Sequence, residues 1–503
     1  MISPSEWLKT YNHLGSFYPY YCYGRNSELY ISISSAIENI PSDERLIDPV
    51  AIAEFVTKSY VLADRTLVQN ISRTPWMARP NGQGGWEYAE LPEHGFRRMP
   101  ANEIAQELKS RLLNEAIGYL QGKSQVGILL SGGMDSRMLA GVIRELQLKG
   151  DWNGQVIAFT WGLDGSRDVK YAEQIARMFS WEWVHLKLDA EALYNNIFIA
   201  AEMGAEFAPH HLHAMPKVAS YQELNAVLAV SYGDSVGRAE FSGTHLLNQK
   251  PILQVLQGRL HSFTKRRDFW VIRSKIFREV KEQMVCDAYS YRQSLGLNSE
   301  YHNYCEIELE MHYMRRKLQA PMSYMGMRVP LYQLFTAPET FAFMWNLDPQ
   351  IRDDSIYAEL IQLLPGDLAA IPWARTGVAF GVKKRDVDNA PKEYHQYGIW
   401  LRHDLRDFIQ AKVLSDTIMK LGIFNEQTLV KLVKLWPHSK TITTNAIDEI
   451  VSWLATLAIF VEKYNIKSPY RFDEANVVGD FLSSIYGNLM AWLYQEARER
   501  VRD

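Results

Sequence analysis

Residues 126–139 read VGILLSGGMDSRML. An apolar run of strand length passes into a helical pattern, and between them lie two glycines, two serines and one aspartate. A chain that leaves a buried strand through Ser131-Gly132-Gly133-Met134-Asp135-Ser136 does so at the strand's carboxyl end, where open parallel sheets bind ligands. Gly132 and Gly133 are expected to take positive φ and to let a ligand approach the backbone amides. Those amides would point into the start of the next helix, whose dipole favours an anion. Ser131 and Ser136 add hydroxyl donors suited to phosphate oxygens. Asp135 would repel a bare phosphate, so its expected role is to hold Mg²⁺ against the phosphates. The spacing fits neither G-x-x-x-x-G-K-[ST] nor G-x-G-x-x-G. A tight turn with no ligand is the bland alternative.

The surroundings supply the sheet. A helix is expected from residue 102, ahead of the strand at Val126. Residues 156–161, 183–188 and 226–231 are apolar runs, and residues 168–179 have helical spacing. Strands alternating with helices predict a parallel sheet covered on both faces. Upstream, residues 29–33 (LYISI) read as a strand, and Asp48-Pro49 reads as the N-cap and first turn of a helix. The proline- and glycine-broken stretch RTPWMARPNGQGGWEY reads as a boundary. Beyond about residue 255 the chain reads mainly as helices.

At 503 residues, two or three domains are expected, with an apolar fraction of 47% typical of a globular protein. A net charge of −4 argues against a constitutive nucleic-acid binder. The basic run Lys265-Arg266-Arg267 reads as solvated surface. Cys22, Cys286 and Cys305 are too few and scattered for a disulfide framework or a zinc site. No secretory signal is apparent, and residues 450–461, the most apolar helix candidate, fall short of a bilayer span. A cytoplasmic location and no membrane partner are expected.

SGGMDS resembles the SGGxDS pyrophosphate loop of the N-type ATP pyrophosphatases. The surroundings resemble their asparagine-synthetase-like branch, which includes β-lactam synthetases and lasso-peptide cyclases. DPVAIAEFVTKSYVLADRTLVQNISRTP resembles the segment entering the synthetase domain, and AFTWGLDGSRDVKYAEQIA its second strand and helix. MRVPLYQLFTAPETFAFMWNLDPQIRDDSIYAELIQLLP resembles the RVPFLD stretch and the helices after it. These patches run from about residue 28 to 385.

The resemblance implies an α/β fold: a five-stranded-type parallel sheet of the PP-loop ATP pyrophosphatase (adenine nucleotide α-hydrolase-like) kind, with helices on both faces. Residues 1–100 would be a small, degenerate, β-rich glutaminase-like region with its linker helix. Residues 101–390 would be the ATP-binding synthetase domain, and residues 391–503 a helical extension. Ile2 stands where the family's glutaminase cysteine would be, which implies no glutaminase activity of its own.

Site residues follow from the same likeness. Leu130, Ser131, Gly132, Gly133, Asp135, Ser136, Thr160 and Gly233 are expected to bind the nucleotide. VSYGDSVGRAEFSG stands where the family has GEGADELFGGY, making Asp234 the candidate second Mg²⁺ carboxylate and Glu240 the reserve. Gly326 and Gln333 replace acidic residues of asparagine synthetases, which argues against free aspartate as acceptor. In IPWARTGVAFGVKKR, Arg375 and Lys383 would stabilise charge on departing pyrophosphate, whereas Lys384 reads equally as solvated surface. Glu206 is the candidate general base. His210, His211 and His213 read as pocket or surface histidines rather than metal ligands.

The expected reaction consumes ATP with Mg²⁺, adenylating a carboxylate and passing it to ammonia or an amine. The carboxylate would be a small molecule, a sugar or a peptide. An ammonia-supplying or precursor-binding protein is a possible partner. Intramolecular lasso- or β-lactam-type closure, and a non-catalytic nucleotide-binding descendant, are the alternatives.

Overall fold

The computed structural model describes residues 21–24, 29–80, 86–239, 268–294, 306–380, 387–470 and 477–502. Strand β1 (Tyr21–Tyr23) pairs antiparallel with β2 (Leu29–Tyr30). The strand expected to reach Ile33 stops early. Ser32 instead accepts a hydrogen bond from the Ser35 amide and caps helix α1 (Ile33–Glu38). Helix α2 (Pro49–Lys58) follows as expected, with the Asp48 carboxylate accepting from the Val50 and Ala51 amides. β3 (Ile71–Arg73) completes a small sheet on β1. The turn-rich stretch contains a hairpin, β4 (Ala78–Pro80) with β5 (Trp86–Tyr88).

Helix α3 (Ala101–Leu120) leads into β6 (Gln125–Leu129) and α4 (Met134–Lys149). Then come β7 (Gln155–Gly162), α5 (Arg167–Met178), β8 (Glu182–Lys187), α6 (Ala190–Glu202) and β9 (Ala226–Ala229). A fifth strand, β10 (Leu331–Gln333), comes from the region expected to be helical. The sheet runs β10-β9-β6-β7-β8 with every neighbour parallel.

Alternation along these strands divides the core. Val126, Ile128, Val156, Ala158, Ala226 and Leu228 face one side, against α3, α4 and α7 (Asp354–Leu363). Ile157, Phe159, Val227 and Ala229 face the other side. There they share one core with residues of the N-terminal sheet and of α8 (Ala446–Tyr464). The boundaries expected near residues 100 and 390 therefore do not coincide with separate cores. A pleated sheet buried on both faces has to be covered twice, and here chain from both flanking regions supplies one of the covers.

Helix α8 is anchored by charge. Asn445 accepts from the Ile447 and Asp448 amides, and Asp448 accepts in return from the Asn445 amide at 2.8 Å. Asp448 also accepts from Arg402 Nε at 2.9 Å and Trp436 Nε1 at 2.7 Å. Both ions are enclosed, so each depends on the other for solvation. No helix among the described residues is long and apolar enough to cross a membrane.

Replacing one partner of such a pair strands the other, at a cost of about 3–5 kcal/mol. Arg402→Met should lower unfolding stability by that amount in denaturant titration. A loss below about 1 kcal/mol would show that the pair does not anchor α8.

Candidate functional site

Strand β6 leaves the sheet with the Leu130 amide donating to Phe159 O at 2.9 Å. The Leu130 carbonyl accepts from Thr160 Oγ1, also at 2.9 Å. Beyond that point no neighbouring strand serves the backbone, and the loop satisfies itself. The Ser131 amide donates to Ser136 Oγ (3.1 Å), and that hydroxyl donates to Ser131 O (3.0 Å). The Gly133 amide donates to Ser131 Oγ and the Gly132 amide to Asp168 Oδ1, each at 3.2 Å. Gly133 occupies the N-cap of α4 and offers no side-chain cap. The first turn of a sixteen-residue helix thus opens toward the space above the loop.

The two glycines are needed for space and not for positive φ. Gly133 has φ −74°, and neither glycine has a left-handed backbone. A Cβ on Gly132 would stand 2.8 Å from Ala374 Cβ and 3.0 Å from the Tyr171 ring. Behind the loop, the buried Arg137 guanidinium donates to the carbonyls of Leu368, Ile371 and Pro372, and to Gly132 O at 3.3 Å. Burial without a carboxylate partner pushes its pKa down to about 10.

Above the loop lies a cavity of about 420 Å³. Leu130, Ser131, Gly133, Asp135 and Ser136 form its floor, with Asp168 and Asp234 beside them. Phe159, Trp161, Met215 and Met322 form apolar walls, and His211, His213, Lys317 and Tyr394 bring polar groups. Volume and lining suit a small-molecule site. Trp161 stacks on His213, whose Nδ1 is 2.9 Å from Tyr397 Oη. Glu449 Oε1 lies 3.0 Å from His211 Nε2 and 2.9 Å from Lys317 Nζ, so the polar end reaches α8. Burial depresses the pKa of His211 and His213, which keeps both rings neutral at pH 7. His210, His211 and Glu449 place one ligand atom each within 4.8 Å, but Lys317 already balances the glutamate.

Several expected residues sit elsewhere. Thr160 is buried, its hydroxyl bonded to Leu130 O and to Trp183 Nε1 (3.2 Å), so it shapes the loop from behind. Glu206 is 2% exposed and ion-paired with Arg73 (2.9 Å) and Arg316 (3.5 Å). An enclosed carboxylate held by two guanidiniums is no general base, and it does not line the cavity. Arg375 is exposed and lies over the Trp373 ring, beside the loop but outside the cavity lining. Lys383, Lys384, Glu240 and Lys265-Arg266-Arg267 fall outside the described residues. Asp168 was missed. At the start of α5 it reads as an ordinary dipole partner, and only the crossover from β7 brings it to Gly132.

Asp135 and Asp234 do come together, on a guanidinium. Arg238 Nη2 lies 3.1 Å from Asp135 Oδ2 and also pairs with Asp234 Oδ1, while Nη1 donates to Asp354 Oδ1 at 2.7 Å. Gly233 packs against Asp135 Oδ1, and a Cβ there would collide with the carboxylate. A magnesium ion bridging Asp135 and Asp234 does not fit this arrangement, because a cation of the chain already stands there.

A five-stranded parallel sheet with Ser-Gly-Gly-Met-Asp-Ser at the carboxyl end of its middle strand defines an α/β domain of the PP-loop ATP pyrophosphatase kind. Residues 109–236, from within α3 to the turn after β9, match the family described as asparagine synthase. No curated protein matches the sequence. Among solved structures the chain is similar to an NMN synthetase from Francisella tularensis (19% identity, TM-score 0.20, covering 28% of this chain and 59% of that one). It is also similar to an NAD⁺ synthetase from Burkholderia pseudomallei (11%, TM-score 0.18, covering 63% and 94%). A third is the U34-tRNA thiolase NcsA from Methanococcus maripaludis (12%, TM-score 0.23, covering 48% and 86%). The strand order and loop, and not these likenesses, define the fold.

Burial pushes the Asp168 carboxyl up to about 6, with the Gly132 amide acting the other way. Its contribution to stability is complete below the unfolded pKa of about 3.9 and fades as pH rises through about 6. Asp168→Asn should therefore exceed wild type in stability by about 3 kcal/mol at pH 7.5, and the two should converge near pH 4. Thermal unfolding across pH checks this, and a constant difference would contradict it.

Proposed function

We propose that this chain is an ATP-dependent ligase that adenylates a carboxylate and transfers the acyl group to ammonia or an amine. One observation carries the reading: an asparagine-synthase-type loop whose helix start, Gly133 and paired serines form the floor of a cavity of about 420 Å³. The loop presents hydrogen-bond donors and a helix dipole where phosphates would lie.

The chemistry is two displacements. A carboxylate oxygen attacks the α-phosphorus of ATP, and the bond to the β-phosphate bridging oxygen breaks, releasing pyrophosphate. The amine nitrogen then attacks the acyl carbon, the bond from that carbon to the bridging oxygen breaks, AMP leaves with that oxygen and the bonding electrons, and the nitrogen loses a proton to water. Adenylation replaces a poor leaving group with a good one. Ser131, Ser136 and the open amides of the first turn of α4 would hold the departing pyrophosphate, and Arg375 and Lys383 are its candidate outer cations. The aromatic and histidine wall from Trp161 to Tyr394, with Lys317 and Glu449, would hold the acceptor pair. Its neutral rings and polar edges suit a small-molecule, sugar or peptide carboxylate joined to an amine.

The Arg238 cluster favours a second reading, a nucleotide-binding descendant that no longer turns over, because its two loop carboxylates are occupied by the chain itself.

A panel of carboxylates and amines assayed for AMP and pyrophosphate separates the two readings. The ligase reading expects substrate-dependent release of both products in equal amounts, reduced at least about a hundredfold by Asp135→Ala. Coupled ADP release would overturn adenylation, and ATP binding with no AMP for any pair would favour the non-catalytic reading.

A further inference from the structure

Asp135 is the charged group that the loop brings to the cavity floor, and its counterion lies in the same chain. Arg238 is 5% exposed at the side chain and bonds to three carboxylates on three segments. Asp135 sits in the first turn of α4, Asp234 in the π-helical turn Gly233–Gly237, and Asp354 at the start of α7. The guanidinium also lies over the Tyr357 ring, 5.1 Å from its centroid. The Tyr357 hydroxyl donates to Gly233 O at 3.0 Å, fixing the turn that carries Asp234. Gly233 in turn lets that backbone close onto Asp135 Oδ1.

Burial decides which charge needs an answer. The Asp234 and Asp354 side chains are 44% and 55% exposed, so water solvates much of their charge. Asp135 is 18% exposed at the side chain, and its Oδ1 is enclosed. A carboxylate so placed is costly to leave unpaired, and an Arg at hydrogen-bonding distance offsets that cost. With the guanidinium in place, the Asp135–Arg238 pair is neutral, and the loop above it is left with amides, hydroxyls and a helix dipole. Such a floor accepts an anion without a divalent ion between Asp135 and Asp234.

We propose that Arg238, rather than a divalent metal, neutralises Asp135, and that Asp135 and Arg238 form a charge-balanced support that positions the phosphate loop. Arg238 is thus a positioning residue, outside the cavity lining. The proposal rests on the nucleotide-binding reading for its purpose, but its metal arm stands without nucleotide. Removing the guanidinium would leave three carboxylates converging on one place, a donor set suited to a hard divalent cation.

Manganese titration followed by electron paramagnetic resonance, without nucleotide, tests this. Wild type should show no Mn²⁺ site that Asp135→Asn abolishes. Arg238→Ala should gain one such site, lost again when Asp135→Asn is added, and Arg238→Lys should show none because an ammonium remains. A wild-type Mn²⁺ site that depends on Asp135 overturns the proposal, whatever the variants do. A folded Arg238→Ala chain, checked by circular dichroism, that binds no Mn²⁺ also overturns it.

Calorimetry with ATP adds a second arm. Replacing Mg²⁺ by EDTA should weaken ATP binding to wild type by less than about tenfold, while Arg238→Ala should become strongly metal-dependent. A loss of about a hundredfold in wild type counts against the proposal. Absence of ATP binding in both conditions overturns the nucleotide reading instead, and the Mn²⁺ result still decides the role of Arg238.

Discussion

A carboxylate largely buried at the floor of a cavity has to be answered by a positive charge, and the contact between Asp135 and Arg238 does this here. Three parts of the chain meet at that guanidinium: the turn after β6, the turn after β9, and the start of α7. Loss of the pair would remove the charged link between the loop and the other two segments, leaving the Tyr357–Gly233 hydrogen bond to join α7 to the π-helical turn. The small residues around it follow from this contact. Gly233 is short because Asp135 lies against it, and Gly132 is short because Ala374 and Tyr171 press from the other side. Arg137 then holds the loop from behind by four carbonyls.

The cavity above this floor is built from both halves of the core. Phe159 belongs to the core shared with the N-terminal sheet and α8, while Leu130 belongs to the core under α3 and α4. The far wall depends on α8 directly, since Glu449 holds both His211 and Lys317. Residues beyond 390 therefore shape the space in which a substrate would lie. Two anchoring arrangements converge on that wall: the capping box of α8 with Arg402, and the Glu206 cluster with Arg73 and Arg316. Each encloses charge, and enclosed, mutually satisfied charge resists displacement.

Much of this was legible in the sequence because its signals are local. The strand at Val126, the glycine-serine turn and the helix after it lie within fourteen consecutive residues, and hydrophobic alternation places the neighbouring strands. Asp48-Pro49 marked a helix start for the same reason. Signals that needed tertiary contact were misread or absent. β10 spans only three residues, too few for a period to show, and it exists because the edge of β9 is there to pair with it. Ser32 reads equally well in a strand, and its capping bond to Ser35 ended β2 early. Glu206 looked like a base because nothing in its neighbourhood in sequence reveals Arg73 or Arg316, both more than a hundred positions away. Asp135 and Asp234 read as a metal pair because nothing in the sequence places Arg238 between them in space, and sequence alone does not tell a counterion from a bystander.

We propose that the turn from Ser131 to Ser136 receives the phosphates of ATP. Hydrogen–deuterium exchange of the full chain, with and without ATP, reads those amides directly. ATP should slow exchange most strongly in the peptide containing Ser131-Gly132-Gly133-Met134-Asp135-Ser136, with weaker protection around Trp161 and His213. Protection that appears elsewhere while this peptide exchanges at an unchanged rate would contradict it.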